Sequence, residues 1–336
     1  MDLAGRKATI KNIAELAGVH PSTVSRALNA MPGSRIPQET IDRIHKAAAD
    51  LLYEPNPWAQ SLRTKRAMAI GLAIPRFTDY VLAQMFEAAQ MRASELGYQT
   101  VTVGTEVGGL GNAAIKGLID RRTDGLILAT AKIYDDYLPQ IERMGVPFVL
   151  LNRKSGDYPA VSGDDALGGY LATRHLIDQG HTRIGHIGGP MTVSTGRDRA
   201  LGYRRAMKEA KIPVPAELVQ LGNFDAQSAA RAAEALLVLA DPPTAVFAVN
   251  DISALAAMSA ARQRGLSVPQ DLAVVGYNDS EVSALLPIPL TSVRVPLLEM
   301  GSVAVDLLMA RMNGAAVKSV MMTPELVPRQ SSLFAR

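Results

Sequence analysis

From residue 67 onward the sequence alternates between short apolar runs and longer stretches of helical periodicity. "MAIGLAIP", "YQTVTVG", "DGLILAT" and "VPFVLLN" form one series, and "RIGHIGG", "TAVFAVN" and "LAVVGYN" form a second after "AVSGDD". A strand with one solvated face alternates apolar and polar side chains. A continuous apolar run is covered on both faces, as in a parallel sheet flanked by crossover helices. Stretches such as "ALGGYLATRHLIDQ" and "ARAAEALLVLA" supply those helices. Two such series predict two α/β lobes, each a doubly wound parallel sheet, with a ligand cleft at the strand ends. "LTSVRVPLLEMGSVAVDLLMARM" is expected to return to the first lobe and the final strand to the second. The lobes then span about 67–160 with 292–322, and about 161–291 with 323–336.

The first 66 residues differ in composition. They hold ten Lys/Arg against six Asp/Glu, whereas the whole 336-residue chain carries a net charge of only +3. A basic head on a near-neutral body suggests a polyanion-binding module. "TIKNIAELAGV" places Ile10, Ile13, Ala14 and Ala17 on one helical stripe, with Thr9 as N-cap and Gly18 as the stop. A second helix runs from Pro21 to about Asn29, with Val24 and Leu28 four apart. Helix, glycine turn and short helix form a helix-turn-helix, whose second helix enters the DNA major groove N-terminus first. Pro21 suits the first turn. Ser22 and Arg26, one turn apart on the polar face, can reach base edges, whereas Thr23, Ser25 and Asn29 suit phosphate contacts. The plainer alternative is an amphipathic helical hairpin with a solvated face. A third helix, "PQETIDRIHKAAADLLY", completes a headgroup over residues 8–54. "EPNPWAQSLRTKR" then opens a helix of only about seven residues within 55–66, too short to be stable alone in water.

"TIKNIAELAGVHPSTVSRALN" followed by "YEPNPWAQSLR" resembles the headgroup and hinge helix of the LacI/GalR family of bacterial transcription regulators. The resemblance implies an all-α helix-turn-helix headgroup joined to a two-lobed, periplasmic-binding-protein-like sensor over residues 67–336. It also implies a homodimer on a near-palindromic double-stranded operator. In the family, paired hinge helices lie in the minor groove. Leu62 matches the intercalating leucine, Ala59 its neighbouring groove contact, and Trp58 the seam between hinges. His20 stands where the family usually has Ser, which weakens the expected N-cap and offers a phosphate donor instead. The loop "NAMPGSRIP" is two residues longer than usual, so the role of Arg35 stays open.

The same resemblance places effector contacts at strand ends: Arg76, Phe77 and Asp79 after the first strand, Asn152 and Arg153 after "VPFVLL", and Thr195 and Arg199 in "STGRDRALGY". Phe224, Asn250 and Asn278 complete the set. Amides and arginines would bond hydroxyls, and Phe224 would cover an apolar sugar face. Each residue alone also has a structural reading: Arg199 as an ion-pair partner, Asn250 as a helix cap. Asn278 replaces the usual Asp. With Arg153 and Arg199, Arg76 brings the arginines to three, a hint of a sugar acid or phosphorylated sugar; the alternative is that Arg76 points into solvent.

With no cysteine in the chain, neither disulfides nor a Cys-based metal site is possible, which suits a reducing cytoplasm. No run has the length of a membrane span or the form of a signal peptide. "GLGNAA" fits the glycine spacing of a dinucleotide loop but follows the second strand of its sheet, with no acidic strand end about twenty residues on. No catalytic triad or metal-ligand pair is legible, so no cofactor, metal or enzyme activity is expected. Two rival readings are a protein that only sequesters sugar and an NAD-dependent enzyme. The basic head opposes the first and the misplaced glycine loop the second.

Overall fold

The chain divides into two units, Met1–Ala67 and Met68–Arg336. The structure is a computed structural model that describes residues 8–28, 36–53, 66–105 and 111–333. In the first unit, helix α1 (Ile10–Ala17) is opened by Thr9 in a reciprocal capping box with Asn12. It ends at Gly18, which adopts φ 65°, ψ 39°, a conformation costly for residues with a Cβ. Pro21 is the first residue of α2 (Pro21–Leu28), and α3 (Gln38–Asp50) packs across both. Ile13, Ala14, Ala17, Val24, Ala27, Ile44 and Ala47 form their common core. Helices of eight residues are marginal alone; this shared apolar contact holds them.

The second unit contains two six-stranded sheets. Strand β1 (Ala69–Ile74), helix α4 (Tyr80–Glu95), β2 (Gln99–Gly104), α5 (Gly111–Asp120), β3 (Gly125–Leu128), α6 (Leu138–Arg143), β4 (Phe148–Leu151) and β5 (Ala160–Gly163) build the first lobe. The second contains α7 (Asp165–Asp178), β6 (Ile184–Gly188), α8 (Ser194–Glu209), β7 (Val219–Leu221), α9 (Ala226–Leu237) and β8 (Ala245–Ala248). It continues with α10 (Asp251–Gln263), β9 (Ala273–Asn278), α11 (Glu281–Leu285) and β10 (Thr291–Arg294). Helix α12 (Leu297–Met312) then packs on the first lobe against α4, followed by β11 (Val320–Met322) there and β12 (Glu325–Val327) in the second. The strand orders are β11-β5-β4-β3-β1-β2 and β12-β10-β9-β8-β6-β7. All neighbours run parallel except β12 beside β10.

Two lobe assignments need correction. Thr291–Arg294 does not return to the first lobe: it pairs in parallel with β9, and the chain crosses only after it. Its Thr291 and Ser292 are polar yet fully buried, their hydroxyls bonded to the Arg329 carbonyl and the Asp251 carboxylate. The segment therefore lacks the apolar run that marks a central strand. Ala160–Gly163, expected to straddle the boundary at 161, is a strand of the first sheet beside β4.

In the second lobe α7 and α8 cross at backbone contact. A Cβ at Gly169 would run into the Arg199 carbonyl, and one at Gly202 into the Ala166 carbonyl. The glycines of "ALGGY" and "ALGY" thus set how closely these helices approach.

His186, on β6, is fully buried between the rings of Tyr203 and Phe247, and its Nδ1 donates to the Phe247 carbonyl at 2.9 Å. Burial pushes the imidazole down to about 4 from its ordinary 6.5. Between these values the unfolded chain takes up a proton that the folded core refuses, so stability is lost as pH falls. His175 and His181, also lowered by burial, act in the same direction. Urea denaturation at pH 7 and pH 4.5 should show a loss of about 2–3 kcal/mol attributable to His186. His186→Asn, which keeps a donor for the Phe247 carbonyl, should flatten the profile; an unchanged slope would remove His186 as its source.

Candidate functional site

In the first unit, α2 buries Val24 and Ala27 and leaves Ser22 and Arg26 exposed, four residues apart. Thr23 and Ser25 are half-buried beside them. Arg26 Nε donates to the Ser22 carbonyl at 3.4 Å, which lays the guanidinium along the helix surface. His20 caps this helix: its Nδ1 accepts from the Ser22 N–H at 3.2 Å and lies 2.8 Å from the Ser22 hydroxyl. Accepting at Nδ1 places the neutral ring's proton on Nε2, an outward donor suited to a phosphate oxygen. Thr9 serves α1 as its cap. Arg35, Asn29, Trp58, Ala59 and Leu62 lie outside the described residues.

In the second unit the strand ends converge on a cleft between the lobes. Its narrow centre, about 30 Å³, is lined by Asp79, Asn152, Arg153, Thr195, Arg199, Phe224, Asn250 and Asn278. That volume admits little more than a water molecule. A polar cavity of about 460 Å³ lies to one side, and a more apolar one of about 400 Å³ to the other. Arg76 lines both, and Asp79 and Phe224 line all three. Phe77 lines none of these three and is 57 % exposed.

Several of the converging residues already have internal bonds. Asp79 Oδ1 caps α4 through the Val81 and Leu82 N–H groups. Asn250 Oδ1 caps α10 through Ser253, while its Nδ2 donates to the Phe224 carbonyl at 3.1 Å. Arg153 donates to the Thr130 carbonyl, and Arg76 to the Asn223 carbonyl on the opposite lobe. Arg199 is 4 % exposed: Nε meets Asp165 Oδ1 at 2.8 Å, Nη1 meets the Val249 carbonyl at 2.7 Å, and the guanidinium lies 3.6 Å from the Tyr277 ring centre. Burial pushes the Asp165 carboxyl above its usual range against the pull of Arg199. By contrast, Asn152, Thr195 and Asn278 show no side-chain hydrogen bond among the described residues, and Thr195 and Asn278 are buried.

The backbone is unusual at the same place. Asn152 (φ 66°), Phe224 (φ 59°) and Asn278 (φ 97°) all occupy left-handed conformations. Such positions cost free energy in non-glycine residues and cluster at ligand sites.

Other residues here were not singled out from sequence. Asp165 and Tyr277 hold Arg199, and Asp251 is buried with bonds from the Ser280 N–H and the Ser283 and Ser292 hydroxyls. Lys154 bridges the lobes, through its N–H to the Ser194 hydroxyl at 2.8 Å and through Nζ to Asp198 at 2.9 Å. Against the upward push of burial, Arg197 and Lys154 hold Asp198 below the usual carboxylate range. The acid that follows each cap, Asp165 after Asp164 in "GDDALGG" and Asp251 after Asn250 in "VND", was the available signal, since it is left over once the residue before it caps the helix. "GLGNAA" leads into α5 after β2, and Gly111 opens that helix. Among the described residues no cluster of His, Cys, Asp and Glu could hold a metal, and no helix is long and apolar enough to cross a membrane.

Residues 9–56 match the family described as bacterial regulatory proteins, lacI family, and residues 173–332 match the periplasmic binding protein-like domain. The ribose operon repressor of Escherichia coli (strain K12) is 34% identical over 332 residues, covering 97% of this chain and 100% of the relative. The HTH-type transcriptional repressor PurR of Aliivibrio salmonicida (strain LFI1238) is 33% identical, covering 96% and 98%. Among solved structures, the lac repressor dimer bound to operator and the anti-inducer ONPF aligns with a TM-score of 0.88 at 30% identity, covering 98% of this chain and 100% of that one. The transcriptional regulator CelR–cellobiose complex aligns with a TM-score of 0.75 at 32% identity, covering 97% and 100%.

Arg199→Ala should lower stability by about 3–5 kcal/mol, because it strands Asp165 in the core. Thermal denaturation with Thr195→Val as the comparison checks this, since that change removes a hydroxyl without unpairing a charge. A melting point for Arg199→Ala equal to that of Thr195→Val would mean the ion pair does not carry this part of the lobe.

Proposed function

Because the chain belongs to the lacI family of bacterial regulatory proteins, we propose that it acts in the cytoplasm as a homodimeric, operator-binding repressor. A small, polar, sugar-like effector in the cleft between its lobes controls its affinity for DNA. The carrying observation is the match over nearly the whole chain to a repressor dimer bound to its operator. The helix–glycine–helix geometry that turns Ser22 and Arg26 outward adds to it. The rim of α2 supplies the contacts: Arg26 and Ser22 read base edges, and Thr9, His20, Pro21, Thr23, Ser25 and Asn29 set register on the phosphates and sugars. Trp58, Ala59 and Leu62 would lie at the operator centre, where an apolar wedge opens a base step.

The cleft supplies the sensing role. Asp79, Asn152, Arg153, Thr195, Phe224, Asn250 and Asn278 line it from both lobes, so a ligand seated there touches both and biases how they close. Arg76 enters from the cleft side and Arg199 from beneath, the latter chiefly as a support. The chain's role is then binding and response rather than catalysis.

Selection of duplexes from a random pool should recover a near-palindromic site. Its affinity should fall steeply with salt, because each neutralised phosphate releases counterions. Arg26→Ala should weaken the selected site by about 1–3 kcal/mol and relax preference at one base pair per half-site. Gel shifts on single-base variants decide it. A uniform loss across all sequences would make Arg26 a phosphate contact, and failure to recover any preferred duplex would overturn the repressor reading itself.

A further inference from the structure

The polarity of one contact on the DNA-reading face can be taken further, on the reading that α2 lies against base edges. His20 and Ser22 flank Pro21, whose ring fixes φ. The His20 carbonyl accepts from the Thr23 N–H at 2.8 Å and the Val24 N–H at 3.3 Å, so its backbone is tied to the first turn of α2. The imidazole is tied to the same turn: Nδ1 is 3.2 Å from the Ser22 nitrogen and 2.8 Å from the Ser22 hydroxyl.

A backbone N–H can only donate. Nδ1 therefore carries its lone pair, and a ring nitrogen in that state has no hydrogen to give. The Ser22 hydroxyl beside it is then the donor of the second bond. A hydroxyl holds one hydrogen and two lone pairs. With the hydrogen spent on His20, the exposed Ser22 presents lone pairs alone to whatever approaches it. A serine in place of His20 would not impose this, because its own hydroxyl can either donate or accept.

In the major groove that polarity carries information. Cytosine and adenine bear amino donors at N4 and N6, and at the same places thymine and guanine bear the acceptors O4 and O6. A hydroxyl free to rotate serves either kind and discriminates little. One held as an acceptor is matched by an amino group, whereas a carbonyl oxygen sets lone pairs against lone pairs where water is excluded.

We propose that His20 is a positioning residue for base readout: it holds the Ser22 hydroxyl as an acceptor, so that Ser22 selects the amino group of cytosine or adenine. Arg26, four residues on and with donors only, takes the guanine edge.

Gel shifts of the full chain on the duplex recovered by selection decide this. Amino groups are removed one at a time, with deoxynebularine for deoxyadenosine and deoxyzebularine for deoxycytidine. Binding should weaken about three- to tenfold at one base per half-site, and Ser22→Ala should abolish the loss there. Exchanging that adenine for guanine, or that cytosine for thymine, puts a carbonyl oxygen in the same place and should cost the unchanged chain about tenfold or more. His20→Ala should narrow this ratio to about threefold or less, because the freed hydroxyl turns its hydrogen outward. His20→Asn, whose side-chain oxygen still accepts from the Ser22 hydroxyl, should keep the ratio. A cap with no part in readout would weaken every duplex alike in His20→Ala and leave the ratio unmoved. That result overturns the proposal, as does an amino-group loss that Ser22→Ala fails to relieve. Failure to select any duplex defeats the repressor reading and this one together, whereas an unmoved ratio on a selected duplex defeats this one alone.

Discussion

The ion pair between Asp165 and Arg199 ties together separate elements of the sensor unit. Asp165 opens α7 directly after the chain crosses from the first sheet, and Arg199 lies in the second turn of α8. The guanidinium also donates to the Val249 carbonyl beyond β8 and stacks on Tyr277 of β9. One side chain therefore fixes two helices and two strand ends, and it can do so only because Gly169 and Gly202 let the helices meet at backbone distance. A buried pair of this kind adds little net stability over a hydrophobic alternative, but removing either partner leaves the other buried and uncompensated.

That fixed floor lets the cleft above it be strained. Asn152 directly after β4, Phe224 in the loop after β7 and Asn278 at the end of β9 hold left-handed conformations where they line the cleft. Free energy lost there is offset by the apolar cores beneath both sheets. Asn250 shows how one residue serves both purposes: its oxygen holds α10 while its amide group pins the Phe224 backbone. The residue that caps the helix also lines the cleft, so the structural and functional readings of a polar strand end do not exclude each other.

The sequence made the head and most of the strands legible for a definite reason. Helical stripes, Gly18 and Pro21 act locally, and the covered strands need apolar runs whatever their partners. What failed was long-range. Thr291 and Ser292 look like loop residues until the Asp251 carboxylate and the Arg329 carbonyl are brought beside them. Arg199 lines the cleft as the resemblance implied, but its partner Asp165 lies 34 residues away and nothing local announces the pairing. His20 seemed a weak cap because hydroxyls and carboxylates are the usual ones; its Nδ1 accepts the same Ser22 N–H that an oxygen would. The hinge residues Trp58, Ala59 and Leu62 rest on resemblance alone.

The two lobes meet across the cleft through bonds of their own. The Ile133 N–H donates to the Thr192 carbonyl at 2.9 Å, Lys154 reaches both Ser194 and Asp198, and Arg76 reaches the Asn223 carbonyl. These contacts ring a centre with almost no free volume. A ligand that parts the lobes breaks some of them, so its occupancy and the lobe separation are linked quantities. The ligand's own contacts must outweigh the broken ones for the occupied form to dominate. A ligand that met both lobes equally well in each arrangement would shift nothing. The discriminating contacts must then be those that only one arrangement provides. Thr195 and Asn278, from the second lobe, face Asp79 and Asn152, from the first, across the narrow waist, so their common reach to one ligand depends on how far the lobes stand apart.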